Sequence, residues 1–201
     1  MKYEGKRVIG ITGGIGAGKT MALNIFKTEF DALIIEADHV GHIVMEPGGV
    51  AYKPILDAFG HEIVNSFDKT IDRKALGEIV FSDRDKLQLL NSITHPLIYS
   101  EIDKLIRNSN NKLIILEAAL LTETTLKNMC DEIWYIYADE DTRLDRLSRY
   151  RGINIEKARS IISNQPCENE FRKHCQVEID NSGDVDSTLK QIKKKILGGT
   201  I

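Results

Sequence analysis

Cysteine is scarce: only Cys130, Cys167 and Cys175 occur among 201 residues, and no two form a Cys-x-x-Cys pair. An odd set without such a pair favours reduced thiols over a disulfide framework, hence a cytoplasmic protein. Long hydrophobic runs are missing too. No apolar stretch approaches the ~20 residues a bilayer-spanning helix needs, so no membrane span is expected. The first residues, MKYEGKRVIGITGG, lack the apolar segment and small-residue cleavage site of a secretory signal. Positive charge is not in excess, with 27 Lys and Arg against 30 Asp and Glu and a formal net charge of −3. That balance argues against a general nucleic-acid or membrane-surface binder, so any basic site must be local. Internal repeats, low-complexity segments and interdomain linkers are likewise lacking. What is left is a chain of ordinary composition, long enough to bury one substantial core.

One stretch departs from this plain background. Residues 13–20 read GGIGAGKT and fit G-x-x-x-x-G-K-[ST]. Gly13, Gly14, Gly16 and Gly18 let the backbone curl so that successive N–H groups point inward at phosphate oxygens. Lys19 then reaches the β- and γ-phosphates as a point charge, and the Thr20 hydroxyl is placed to ligate Mg²⁺. The flanks suit the motif: Val8–Thr12 is a short β-rich apolar run, and Met21–Phe30 carries apolar residues at helical spacing.

Further along, Ala32–Ile35 is a second short apolar run ending in Glu36, Ala37 and Asp38. In open α/β sheets ligands sit beyond the carboxyl ends of strands, which makes Asp38 a candidate general base toward an attacking hydroxyl. The competing reading is an N-cap for a helix starting at His39. His39 and His42 beside Asp38 invite a metal reading, but no other His/Cys cluster completes a site. After Pro47, Gly48 and Gly49 the pattern is mostly helical, with segments expected at 50–59, 73–81, 84–93 and 96–106. Asp72 and Ser82 stand where N-caps belong, and Thr94, His95 and Pro96 punctuate the last two segments. A helical insertion over about 47–109 thus interrupts a core of 1–46 and 110–201. In it, Arg73, Lys74, Arg84 and His95 are candidates for an anionic substrate, each alternatively a solvated surface group.

The third strand, residues 112–116, ends in Glu117, placed to hold a metal's water shell or to orient a substrate hydroxyl. A fourth strand is expected at 132–138. Arg143, Arg146, Arg149 and Arg151 follow within nine residues. They read as a solvated basic face or as a lid, about 143–165, whose arginines close on a triphosphate. Helices at 155–165, 168–174 and 185–197 and a fifth strand through Val177 and Ile179 complete the chain.

The stretches VIGITGGIGAGKT, ADHVGHIVMEPGG, IDRKALGEIVFSD, ITHPLI, RGI and IDNSG together resemble the dephospho-CoA kinase family, and they span nearly the whole chain. The resemblance implies a nucleotide-kinase-like α/β three-layer fold in one phosphate-loop kinase domain, 1–201. It would comprise a five-stranded parallel sheet, a helical substrate-binding insertion and a lid. It implies transfer of the ATP γ-phosphoryl group to the ribose 3′-hydroxyl of dephospho-CoA, with Mg²⁺. Gly14, Gly16, Ala17, Gly18, Lys19, Thr20 and Met21 would wrap the phosphates, Asn181 would lie near the adenine, and Asp38 would be the base. Lys19, Arg149 and Arg151 would be catalytic, and Asp38, Arg73, His95 and Glu117 would meet the substrate. The chain departs from the family pattern at Glu36 and at His42, where the family usually shows Asp and often Arg. It also departs from Glu117 to Glu123, and at Tyr150, which takes the place of a lid arginine. Two alternatives follow: a small-molecule or nucleoside kinase with another acceptor, and a nucleotide-dependent binding module without transfer. A GTPase is disfavoured by the lack of an N-K-x-D-like signature.

Overall fold

The computed structural model describes residues 2–118 and 124–198. The short apolar runs are strands; the three central ones are buried on both faces, as parallel sheets covered by helices require, and the two edge strands are only partly buried. They are β1 (Arg7–Thr12), β2 (Leu33–Glu36), β3 (Leu113–Glu117), β4 (Glu132–Tyr137) and β5 (Val177–Asp180). The sheet is parallel in the order β2-β3-β1-β4-β5. β1 therefore lies in the middle, and the loop leaving it opens where the strand order reverses, the usual ligand position in such sheets. Ile9, Ile11, Ile115, Trp134, Ile136 and Ile179 form the sheet's share of the core, against Ala22, Leu23 and Phe26 of α1 (Lys19–Phe30). Ile192 of the last helix joins the same cluster, beside α1.

The helices after α1 are α2 (Ala37–Met45), α3 (Tyr52–Phe59), α4 (Arg73–Phe81) and α5 (Arg84–Asn108). Then come α6 (Thr124–Met129), α7 (Glu140–Arg151), α8 (Ile155–Ser163), α9 (Glu168–His174) and α10 (Val185–Leu197). Among the described residues no helix is long and apolar enough to cross a membrane.

The chain divides into two compact units: Met1–Ile34 with Ser109–Ile201, and Ile35–Asn108. The helical unit thus starts at Ile35, earlier than the 47 expected from sequence. The reason is α2, whose Val40, Gly41 and Val44 are buried and which packs on α5, with Gly41 facing Ile98. Two further expectations are corrected here. The segments at 84–93 and 96–106 are one helix, α5, with Pro96 inside it. Proline removes one backbone donor, and hydroxyls nearby bond the local carbonyls, Thr94 Oγ1 to Leu90 O at 2.9 Å and Ser92 Oγ to Leu89 O at 2.7 Å. Packing of Ile102 and Ile106, both fully buried, then outweighs the local break. Ser82 is the C-cap of α4, and Asp83 caps α5 through the N–H groups of Asp85 and Lys86. Asp72 does cap α4, accepting from the N–H groups of Lys74 and Ala75, a contact of about 1 kcal/mol.

Candidate active site

The loop between β1 and α1 turns on two residues in left-handed conformation, Gly16 at φ 77° and Gly18 at φ 83°. Side chains at these positions would be strained, and a Cβ on Gly18 would also run into the Asn181 amide. Gly18 is the N-cap of α1, so the helix starts with unpaired donors. The N–H groups of Gly16, Gly18, Lys19 and Thr20 make no hydrogen bond to any described residue. Converging N–H groups on the positive end of a helix dipole form an anion site. Lys19 bends back over the loop: its Nζ donates to Gly13 O at 2.9 Å and lies 3.6 Å from Glu117 Oε1. The exposed Thr20 hydroxyl bonds none of the described residues.

Four side chains hold the loop backbone from behind. Arg143 Nε donates to Ile15 O at 2.9 Å, and Arg143 Nη2 donates to Gln165 Oε1 at 2.9 Å. Gln165 Oε1 also accepts from the Ile15 N–H at 2.9 Å. Asn181 Nδ2 and Arg146 Nη1 donate to Ala17 O at 2.7 and 3.3 Å. Arg146 Nη2 donates to Asn181 O at 2.8 Å, and the Thr188 hydroxyl donates to Asn181 Oδ1 at 2.9 Å. Each such bond is worth about 1 kcal/mol, more where a guanidinium donates.

These contacts revise one sequence expectation. Asn181 was expected against the adenine; its side chain is fully buried and its amide is committed to the loop and to Thr188. Of the four arginines, Arg143 and Arg146 touch the loop. Residues three apart drift by about 60° around a helix, so Arg149 lies about 120° from Arg143. Arg149 pairs with Asp145 at 2.7 Å on the exposed side, and Arg151 is exposed. Gln165 escaped sequence reading; a lone glutamine at a helix end carries no pattern.

In the helical unit, α2 starts at Ala37 with Glu36 as an N-cap whose side chain makes no cap bond. Asp38 therefore sits exposed in the first turn and is not the cap. Arg73 lines a pocket of about 140 Å³ with His42, Met45, Glu46, Thr70 and Ile71. His95 does not line it; its Nδ1 lies 3.3 Å from the Tyr99 hydroxyl. Among the described residues no three His, Cys, Asp or Glu side chains converge as a metal cluster. The three cysteines are free, and burial pushes the Cys130 thiol up to about 12 and that of Cys175 to about 11, so neither supplies a thiolate near neutrality.

A sequence model of the dephospho-CoA kinase family matches residues 7–187. The chain belongs to the dephospho-CoA kinase family. It is 40% identical to the dephospho-CoA kinase of Carboxydothermus hydrogenoformans over 92% of this chain and 90% of that one. To the Dehalococcoides mccartyi enzyme it is 36% identical, over 95% and 98%. Among solved structures, a Thermus thermophilus protein superposes with a TM-score of 0.81 at 23% identity, covering 98% of both chains. A Campylobacter jejuni dephospho-CoA kinase gives 0.70 at 23% identity, covering 98% of this chain and all of the other. A shikimate kinase of Acinetobacter baumannii gives 0.55 at 14% identity, over 98% and 96%. At these identities the structures speak for the fold, and the sequence relatives carry the family. Membership of this family makes the chain an ATP-dependent kinase.

Proposed function

We propose that the protein transfers the γ-phosphoryl group of ATP to the ribose 3′-hydroxyl of dephospho-CoA, giving coenzyme A and ADP. The observation that carries this reading is the set of N–H groups of Gly16, Gly18, Lys19 and Thr20, unbonded among the described residues, at the head of α1 in a chain of this family. Those groups and Lys19 take the β- and γ-phosphate oxygens, and Ala17 and Met21 complete the wrap. As the nucleotide enters, Lys19 exchanges Gly13 O for a phosphate oxygen. The acceptor oxygen bonds to the γ-phosphorus as the bond from that phosphorus to the β–γ bridging oxygen breaks. The hydroxyl proton passes to Asp38, and ADP leaves. Positioning and charge neutralisation supply most of the rate, with the base a smaller share.

The Thr20 hydroxyl and the Glu117 carboxylate are hard oxygen donors suited to Mg²⁺, Thr20 directly and Glu117 through the cation's water shell. When bound, Mg²⁺ neutralises charge on the phosphate oxygens. Of the two exposed cations at the end of α7, Arg149 is held by Asp145, so Arg151 is assigned to the transferring group. Arg73 and His42 are assigned to the acceptor's anionic portion, with His95 nearer its periphery. Nothing in this chemistry needs a membrane, and the cytoplasm supplies both substrates.

An acceptor panel tests the reading: ADP release from Mg·ATP with dephospho-CoA, with adenosine and with no acceptor. Release that depends on dephospho-CoA is expected. Equal release with adenosine would turn the reading toward a nucleoside kinase, and tight ATP binding without release would turn it toward a binding module.

A further inference from the structure

Ile15 is anchored in three ways. Its side chain packs against Leu144, Leu147 and Ala158, the apolar contact between α7 and α8. Its carbonyl accepts from Arg143 Nε, and its N–H donates to Gln165 Oε1, both at 2.9 Å. The same Gln165 oxygen accepts from Arg143 Nη2 at 2.9 Å. One amide oxygen thus closes a ring of three hydrogen bonds through residues 150 positions apart.

Ile15 stands between two glycines, and glycine leaves the adjoining peptide planes free to rotate. What holds the Ile15 N–H and carbonyl therefore decides where the Gly16 N–H points, the first of the unbonded donors. Gln165 is itself restrained: it is half-buried, and Pro166 narrows its backbone choices. Its oxygen has no alternative donor among the described residues.

We propose that Gln165 is a positioning residue for phosphoryl transfer: its side-chain oxygen, acting through Ile15 and Arg143, sets the phosphate loop in its anion-binding form. The proposal rests on the reading of that loop as the nucleotide site.

The test is ATP affinity of the full chain, by calorimetric titration with Mg·ATP, beside KM for each substrate. Gln165→Met keeps the length and loses the acceptor; Gln165→Asn keeps the amide but falls short of Ile15. Both should weaken ATP about 5- to 20-fold, as loss of a partner for a part-buried N–H donor and a guanidinium implies. KM for dephospho-CoA should stay within about twofold, since the acceptor makes no use of the ring. Gln165→Glu, which keeps the acceptor oxygen, should stay within about threefold of wild type for ATP. A merely structural glutamine would lower the melting temperature and the active fraction while leaving ATP affinity of the folded fraction intact. Wild-type ATP affinity in folded Gln165→Met or Gln165→Asn would overturn the proposal, as would equal weakening in Gln165→Glu. Failure of the wild-type protein to bind Mg·ATP would instead overturn the nucleotide-site reading on which it rests.

Discussion

The phosphate-loop unit and the helical unit present polar groups in opposite ways. In the first, backbone N–H groups of the loop make no hydrogen bond to the described residues, and Arg143, Arg146, Gln165 and Asn181 are spent on holding that backbone. In the second, Asp38 and His42 are exposed side chains, and Arg73 and Glu46 line a small open pocket. A triphosphate is the same in every kinase, so a rigid nest fixed from behind serves it. An acceptor is particular to the enzyme, and side chains that vary residue by residue serve that. The comparison teaches where substitutions should change binding of the common substrate and where they should change choice of the particular one.

The sharpest way to break this contrast lies on the nucleotide side. Lys19→Ala should lower turnover by at least about 10³-fold, read as ADP release at saturating substrates, while the melting temperature stays near wild type. Next comes the proton acceptor: Asp38→Asn should cost about 10²–10⁴-fold in turnover with ATP affinity nearly unchanged. Unchanged turnover would remove Asp38 from the chemistry. The end of α7 separates two neighbours, since Arg151→Ala should lose about 10- to 100-fold in kcat and Arg149→Ala less than about twofold. The reverse order would reassign the lid cation. Smallest is Arg73→Ala, expected to raise KM for dephospho-CoA about tenfold and leave that for ATP alone. A matching rise in both would mean that the two units do not divide recognition as described.

Much of this was legible in advance. Short apolar runs mark β1, β3 and β4 because these central strands are buried on both faces, and the glycine spacing of residues 13–20 marks the loop because Gly16 and Gly18 take positive φ there. Asp72 was readable as a cap because capping is a contact within three residues. What failed to show involved distance or competition. The Ile15–Gln165 bond joins residues remote in the chain, and so does the bond from Asn181 Nδ2 to Ala17 O. α5 runs through Pro96 because packing of α2, α3 and α4 on it outweighs a local break. Arg149 and Arg151 take a lid role only through the resemblance, and helical drift sets Arg149 beside Asp145, on a different side of α7 from Arg143. Ala119 to Glu123, where the sequence leaves the family pattern, lies outside the described residues.

The most direct test follows the phosphoryl group itself: incubate the protein with Mg·ATP labelled at the γ-phosphorus and dephospho-CoA, then locate the label by mass and phosphorus NMR. Label on the ribose 3′-oxygen, in step with ADP release and lost in Lys19→Ala, is the predicted result. Label found only in inorganic phosphate, from a folded protein that binds ATP, would contradict it.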